Sequence, residues 1–535
     1  MHTIPKWNRC WNLEMPYISH IQVCSSHGIK SGRPIKHKHD SSSEADSEKS
    51  GVHVQQKIVS TSSLELDRHG LPLVPQPSRF KDDPLNWPAW MKWAVLIQVG
   101  FFAFLGPFNS AVVNPSLVLL AEGLGVDSTT ASYTTTCAII AGGLTPFIFT
   151  PLTNIYGRRP VTLVAILMTI AGGIGSGAST SYAGVATTRA LNGAGFGGMM
   201  SVGTSCVNDM FFLHERGEKT GIYVIFVTNG AHVAALFGGF LGAAKGWKWD
   251  FYIGAIITSL PFVIALFLFP ETLFSRDEEF LANRTHERSY FEMLFNFRGN
   301  MIPNRQLRLS HFTHSFTMLK YPSVTLPFIY YTLAWSFSNI LPAVTLATIY
   351  HQFYKMGAGP IGACLGISLT IGSVLGELCS GRLSDVIMYR MAKRHGGVRK
   401  SEYRLYLSPL SAFFMPAGII IFGACVGRTG FIPPLVGLSV AVFGLQIGST
   451  CLYAYISDCY KPQTPEMGVL FNLSRGLSFF IPFVATRLAN KIGYLWAWFT
   501  FAAILFAAYL PVAALIWQGE RWRLAAGTPK FHRYM

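Results

Sequence analysis

The alternation of long apolar segments with polar loops constrains this 535-residue chain more than any other feature. A helix that crosses the hydrocarbon core of a bilayer needs about 20 mostly apolar residues. Such segments lie near 91–111, 131–151, 160–180, 182–206, 220–244 and 250–270, and again near 322–348, 358–380, 404–426, 430–456, 466–489 and 494–517. Only 13% of the residues are charged, whereas soluble proteins have about 25%. The pattern predicts an all-α membrane protein with twelve transmembrane helices.

The loops and tails divide the predicted protein into five parts. Residues 36–63 are rich in Ser, His, Lys, Asp and Glu, so they cannot bury enough apolar surface to fold. We expect a disordered N-terminal tail over 1–80, a six-helix bundle over 81–272, a central loop over 273–321, a second six-helix bundle over 322–517 and a C-terminal tail over 518–535.

The distribution of Lys and Arg predicts the orientation in the membrane. These residues are concentrated in the loops after the second, fourth and eighth segments, in the central loop and in the C-terminal tail. Loops rich in Lys and Arg stay on the cytoplasmic side, so both termini and the central loop are expected in the cytoplasm. The formal net charge of +16 then reflects membrane orientation, and no nucleic-acid partner is expected.

Sequence motifs for catalysis, nucleotide binding and metal binding are missing. The chain has no G-x-x-x-x-G-K-[ST], no H-E-x-x-H, no G-x-S-x-G and no C-x-x-C pair. We therefore expect neither an enzyme nor an ATP-driven pump, and no cofactor or metal.

One loop motif resembles the signature of a known family. The sequence TPLTNIYGRRP (Thr150–Pro160) resembles the G-x-L-x-D-x-x-G-R-R/K motif of major facilitator transporters, although an Asn stands at the acidic position. The equivalent loop of the second half reads GRLSD (Gly381–Asp385). The resemblance implies a major facilitator fold with two six-helix halves. It also implies a conformational latch formed by Asn154, Gly157, Arg158, Arg159, Gly381 and Asp385.

Other motifs resemble the fungal twelve-helix drug:proton antiporters of the toxin and multidrug efflux type. These are TTRALNGAGFGG (Thr187–Gly198), TNGAHVAALFGGFLG (Thr228–Gly242), DDPLNWP (Asp82–Pro88), PET (Pro270–Thr272) and GGVRKSEYRL (Gly396–Leu405). In the second of these, Ala235 stands where the exporter signature has Pro.

This resemblance implies proton-coupled efflux of drugs, toxins or secondary metabolites by a monomer in the plasma membrane, with the vacuolar membrane as the alternative location. Two other functions stay open: proton-coupled import of a small nutrient or polyamine, and sensing without transport.

Ionisable residues inside apolar segments are candidates for function, because a charge in a bilayer is costly. They are Arg189, His232, Glu377 and Arg475. Glu377 is either a proton carrier or a latch residue paired with an Arg. His232 is either titratable or a neutral hydrogen-bonding residue. Arg475 either contacts substrate or pairs with Asp458 or Glu466.

Polar and aromatic side chains on the same segments are expected to line the substrate pathway, because a pocket with aromatic walls and few polar groups suits amphipathic molecules. We expect this role for Asn109, Asn229, Trp335, Asn339, Gln446 and Asn472.

Overall fold

The structure is a computed structural model, and it describes residues 73, 75–276, 281–282, 284, 286–295, 307–394, 400–460, 463–527 and 529. Residues 1–72 of the predicted N-terminal tail lie outside the described residues, as do 296–306 of the central loop and 530–535 of the C-terminal tail. The side chain of Asp385 is also outside the description. Residues 75–80, which the prediction placed in the tail, contact the bundle: Phe80 is buried, and the Ser78 amide donates to Asp83.

The first half of the described chain is helical. Its helices are α1 (Ala89–Ala111), α2 (Leu117–Leu124), α3 (Ser128–Leu144), α4 (Pro146–Tyr156), α5 (Arg158–Ala178), α6 (Tyr182–Met210), α7 (Leu213–Lys245) and α8 (Trp247–Leu268). Helices α1 and α2 together form one candidate span, Ala89–Leu124, and α3 and α4 meet at a bend of 40°. In the central loop lie two short helices, α9 (Tyr290–Phe295) and α10 (Ser310–Thr317).

The second half repeats this arrangement. Its helices are α11 (Pro322–Trp335), α12 (Leu341–Tyr354), α13 (Ala358–Arg394), α14 (Ser408–Cys425), α15 (Ile432–Cys459), α16 (Thr464–Leu477), α17 (Ile481–Ile492) and α18 (Tyr494–Ala526). A five-residue π-helical segment, Ser336–Ile340, joins α11 to α12. Such segments replace the regular hydrogen-bond pattern locally and often occur at functional sites.

Ten helical spans are long and apolar enough to cross a bilayer, and α3 with α4 makes an eleventh, among the residues described. The remaining long helix, α6, has 29 residues but is less apolar. Large apolar side chains such as Leu260, Phe413 and Trp517 are exposed, as expected for a surface that faces lipid. The predicted all-α membrane fold is confirmed, and the predicted number of twelve spans is consistent with these helices.

Glycines allow helices of the two halves to touch. A methyl group at Gly143 of α3 would overlap the backbone of Gly476 in α16, and one at Gly239 of α7 would lie 2.7 Å from Cα of Gly362 in α13. Within a bilayer, helices associate through close packing rather than through the hydrophobic effect, so small residues at a contact are important. These two contacts bring the halves together.

Replacing Gly143 with valine should weaken this contact. The branched side chain must push the Gly476 backbone away, and overpacking of this kind costs about 1–3 kcal/mol. We expect at least a several-fold loss of transport with normal amounts of protein in the membrane. Gly357→Val is the matched control, because a methyl group at Gly357 would meet nothing within 4 Å. Equal transport by the two variants would contradict the prediction.

Candidate functional site

A cavity with a volume of about 250 Å³ lies between the two halves. Helices α6 and α7 of the first half and α11, α13, α15 and α16 of the second half provide its walls. Five of the ten pathway residues predicted from the sequence line it: Trp335, Glu377, Gln446, Asn472 and Arg475.

Among the described residues that line this cavity, Glu377 is the only acidic one and Arg475 the only basic one. Gln446 Nε2 donates to Glu377 Oε2 at 2.6 Å, and Thr450 Oγ1 donates to the same oxygen at 3.2 Å. No Arg or Lys that the structure describes forms an ion pair with Glu377. The structure therefore offers no support for the alternative in which Glu377 is a latch residue paired with an Arg.

Arg475 contacts two aromatic residues of α11. Its Nε donates to the Tyr331 hydroxyl at 3.2 Å, and its Cζ lies 4.5 Å from the centre of the Trp335 ring. A guanidinium group over an indole face is stabilised by the ring quadrupole. Asp458, one of the acidic partners considered for Arg475, instead pairs with Arg404 at 2.5 Å.

An aromatic wall surrounds these two groups. Tyr331 packs against Phe471 with ring centres 4.7 Å apart, and Tyr453 packs against Phe471 at 5.1 Å. Trp335 is the last residue of α11, directly before the π-helical segment. Aromatic side chains supply large apolar surfaces with polar edges, so the cavity can hold an amphipathic molecule.

A smaller cavity of about 90 Å³ shares Trp335, Asn472 and Arg475 with the first and adds Asn339 from the π-helical segment. The structure thus brings six of the ten predicted pathway residues to these two cavities. Arg189, His232, Asn109 and Asn229 line neither of them.

Arg189 supports the end of α1. Its Nη1 and Nη2 donate to the carbonyl oxygens of Asn109 and Ser110, both at 2.7 Å, and its side chain is buried. The last carbonyl groups of a helix lack helical hydrogen-bond partners, and Arg189 donates a hydrogen bond to two of them. Asn109 is also structural here, because its amide donates to Leu105 O and Thr258 Oγ1.

His232 and Asn229 lie on α7 away from the cavities. His232 is buried, and neither ring nitrogen has a hydrogen-bond partner among the described residues. The hydrogen-bonding role considered for His232 is therefore not observed in this conformation. Asn229 is half-buried and donates to Ile225 O, one turn earlier on its own helix.

Asp250, near the start of α8, was not among the residues predicted from the sequence. Its side chain is fully buried, and neither carboxyl oxygen makes a hydrogen bond within the described part of the chain. The Ser116 hydroxyl lies beside it, next to Gly242. Nothing in the sequence GWKWDFY distinguishes this Asp from one at an exposed helix end, because its burial depends on how α2 and α7 pack around it.

Replacing Asp250 with asparagine should change the thermal unfolding temperature by less than about 2 °C, because an amide of the same size replaces a buried carboxyl group that forms no ion pair among the described residues. Asp83 provides the matched comparison, since it is equally buried but pairs with Arg276 at 2.7 Å. Asp83→Asn should lower the unfolding temperature. Thermal unfolding of the two purified variants measures both effects, and a decrease for Asp250→Asn as large as that for Asp83→Asn would contradict the prediction.

Arg158 makes the contacts expected of a latch residue in the first half. Its Nε pairs with Asp209 at the end of α6, 3.1 Å away, and its Nη1 donates to Asn154 Oδ1 and Thr153 Oγ1. The amide oxygen of Asn154 thus takes the place of the family's carboxylate as an acceptor. Gly157 has a φ of 108°, a conformation that favours glycine.

Arg159 and Glu271 cap two helices reciprocally. The Arg159 guanidinium donates to Ala265 O and Phe269 O at 2.5 Å and to Leu266 O at 2.8 Å, at the end of α8. Glu271 accepts hydrogen bonds from the backbone amides of Arg158, Arg159 and Leu273. Cations suit helix C-termini and anions suit helix N-termini. Burial raises the pKa of Glu271 above its ordinary value, and these three hydrogen bonds oppose the increase.

The second half has a parallel pair at the same end of the repeat. Arg404, before α14, pairs with Asp458 at the end of α15, as Arg158 pairs with Asp209. A methyl group at Gly381 would meet no atom within 4 Å, so no close approach occurs at this predicted latch glycine. The Asp385 side chain lies outside the described residues.

Comparison with known proteins identifies the family. Residues 99–481 match the family described as the Major Facilitator Superfamily. The efflux pump vrtL of Penicillium aethiopicum is 25% identical over 423 residues, which cover 78% of this chain and 82% of that protein. The MFS-type transporter penM of Penicillium rubens is 25% identical over 459 residues, which cover 84% of this chain and 88% of that protein.

A solved structure supports the fold independently. The human organic anion transporter MFSD10 superposes with a TM-score of 0.55 at 15% identity, covering 80% of this chain and 100% of that one. The family match extends over both halves and includes all six predicted residues that line the two cavities. The chain therefore belongs to the Major Facilitator Superfamily of membrane transporters.

Proposed function

We propose that this transporter is a secondary active exporter that moves small organic compounds out of the cytoplasm in exchange for protons. The cavity between the halves carries this proposal. It combines an aromatic wall with one carboxylate and one guanidinium group, a composition suited to amphipathic molecules. Relatives described as efflux pumps support the direction.

Glu377 is the proposed proton carrier. It lines the cavity, and its acceptor oxygen is held by two neutral donors rather than by a cation. A carboxylate in this setting can exchange a proton when substrate enters or leaves. The predicted orientation places both termini in the cytoplasm, and the proposed protein is a monomer of the plasma membrane.

Contacts between the halves support alternating access. The contact of Gly239 with Gly362 and that of Gly143 with Gly476 each join one helix of the first half to one of the second. Alternating access moves one half against the other around a substrate site at their interface. Arg158 with Asp209 and Arg404 with Asp458 are proposed to stabilise one of the two conformations.

Import of a nutrient is the second candidate function, and Ala235 is the observation that favours it. The exporter signature has Pro at the position that Ala235 occupies in α7. Untargeted profiling of cells and medium with the protein expressed or deleted distinguishes the two directions. A compound that accumulates outside on expression and inside on deletion supports export, whereas depletion from the medium on expression overturns it. No flux of any compound would favour a sensor.

Replacing Glu377 with glutamine tests the coupling. We expect the pH dependence of transport to be lost and transport driven by an imposed proton gradient to fall at least about tenfold, because a neutral amide cannot carry a proton. Proteoliposomes loaded with the substrate from profiling provide the measurement. Glu122→Gln is the control, because Glu122 is exposed at the end of α2. Unchanged proton-driven transport in Glu377→Gln would remove this residue from the coupling step.

A further inference from the structure

Two opposite charges face the same cavity without neutralising each other. Glu377 on α13 and Arg475 on α16 both line it, yet they do not form an ion pair with each other or with any other described residue. Charges in a protein interior are normally paired, because removing them from water is costly. A bound molecule would supply the missing partners.

Each group keeps part of its binding capacity free. Both hydrogen bonds to Glu377 go to Oε2, so Oε1 is left with no partner in the described structure. Arg475 Nε donates to the Tyr331 hydroxyl, and the flat face of the guanidinium group packs on the Trp335 ring. Nη1 and Nη2 have no hydrogen-bond partner within the described structure, so both can donate to a bound molecule. Arginine binds carboxylates through such pairs of donors, and a free carboxylate oxygen accepts from an ammonium group.

Among the described residues, the first half contributes no acidic or basic side chain to this cavity. Its described lining residues are Met200, Ser201, Thr204, Tyr223, Val224, Val227 and Thr228. Both charges described at the cavity therefore belong to the second half, which also provides the aromatic wall of Tyr331, Tyr453 and Phe471. Apolar and aromatic surface thus surrounds two charged points. The volume of about 250 Å³ is just below the lower end of ordinary small-molecule pockets, about 300 Å³, and it suits a compact occupant.

We propose that the substrate is a compact aromatic zwitterion, with its cationic group at Glu377 Oε1 and its anionic group at Arg475. This inference rests on the proposed function of the cavity as the substrate site. A purely cationic molecule would leave Arg475 without an anionic partner, and a purely anionic one would leave Glu377 without a cationic partner. A zwitterion satisfies both charges, and its ring packs against the aromatic wall.

Three probes with the same indole ring test the proposal. Tryptophan is the zwitterion, tryptamine lacks its carboxylate, and indole-3-propionate lacks its ammonium group. Equilibrium dialysis of the radiolabelled probes against the full-length protein in lipid nanodiscs measures their affinities. We expect tryptophan to bind at least about tenfold more tightly than either analogue, because each charged contact is worth about a factor of ten or more.

Two variants assign the contacts. Glu377→Gln should remove the preference for tryptophan over indole-3-propionate, and Arg475→Gln should remove the preference for tryptophan over tryptamine. Each variant should keep the other preference, and Glu122→Gln should keep both. Thermal unfolding shows whether each variant is folded, and Arg475→Lys provides a second variant at that position if Arg475→Gln is not.

Equal or tighter binding of tryptamine would overturn the proposal, as would equal or tighter binding of indole-3-propionate. Failure of all three probes to bind folded protein would overturn it too. These outcomes are distinct from a failure of the proposed export function. Proton-driven flux that depends on Glu377 but shows no preference for the zwitterion would contradict only the proposed substrate class. Binding of the zwitterion without any flux would contradict only the proposed export function.

Discussion

Replacing Arg189 with alanine is expected to abolish transport and to lower the free energy of unfolding by about 2–6 kcal/mol, because each buried carbonyl left without a donor costs about 1–3 kcal/mol. The two carbonyls are those of Asn109 and Ser110. They lie at the end of α1, where the chain turns through Asn114–Ser116 into α2. Loss of their donor should allow this part of the first span to distort.

The same substitution also removes a contact with α8. The Arg189 guanidinium lies 5.4 Å from the centre of the Phe251 ring, so alanine leaves empty volume as well as unpaired carbonyls. Arg189→Lys should recover part of the stability, because an ammonium group can donate to one carbonyl but lacks the fork geometry that reaches two. Insertion into the membrane should be largely retained, since the apolar segments are unchanged.

Thermal unfolding of purified protein and substrate flux in proteoliposomes measure the two effects of Arg189→Ala. Arg487→Ala is the matched control, because Arg487 on α17 is exposed and should affect neither quantity. Normal flux in Arg189→Ala would remove this residue from the transport mechanism. A normal unfolding temperature would show that it does not support α1.

Arg159→Ala is expected to lower the free energy of unfolding by at least about 4 kcal/mol, more than Arg158→Ala, for which about 1–3 kcal/mol is expected. Arg159 donates to four carbonyls: Ala265, Leu266 and Phe269 at the end of α8, and Leu294 in α9. Its removal leaves the end of α8 uncapped and removes one of the contacts between α8 and α9. Among the described residues, the Arg158 guanidinium donates to Asp209, Asn154 and Thr153, and Thr272 also donates to Asp209.

The substitutions of these two adjacent arginines should therefore have different effects. Arg158→Ala should alter transport more than stability, because the ion pair of Arg158 with Asp209 joins the start of α5 to the end of α6. Both helices belong to the first half, which is proposed to move during transport. Arg159→Ala should reduce the yield of folded protein. Chemical or thermal unfolding in detergent, combined with flux per folded molecule, distinguishes the two. Equal losses of stability would contradict the assignment of Arg159 as a helix cap.

Local sequence was enough to predict the spans because the bilayer imposes one requirement on every segment. Each must bury its backbone polar groups in a helix of about 20 apolar residues, and this is visible without knowing its neighbours. The less apolar α6, with Arg189 and many glycines, was still recognised as one of these segments, near 182–206. The latch arginines were found from a local motif.

The placement of ionisable residues could not be inferred in this way. Arg189, His232, Glu377 and Arg475 all appear as charges in apolar segments. The structure places Glu377 and Arg475 at the cavity, Arg189 against α1, and His232 between packed helices. Which face of a helix points to the cavity depends on its rotation, and rotation is decided by contacts with other helices.

The sequence by itself determined that this protein is an all-α membrane transporter and predicted two six-helix halves, because hydropathy and short loop motifs are local properties. Only the tertiary structure decided which residues share a cavity, that Arg158 and Arg159 contact different groups, and that Asp250 is buried without an ion-pair partner among the described residues. Those properties arise from distances between residues far apart in the chain. Helix packing sets these distances, through glycine contacts such as that between Gly143 and Gly476, and no local pattern encodes them.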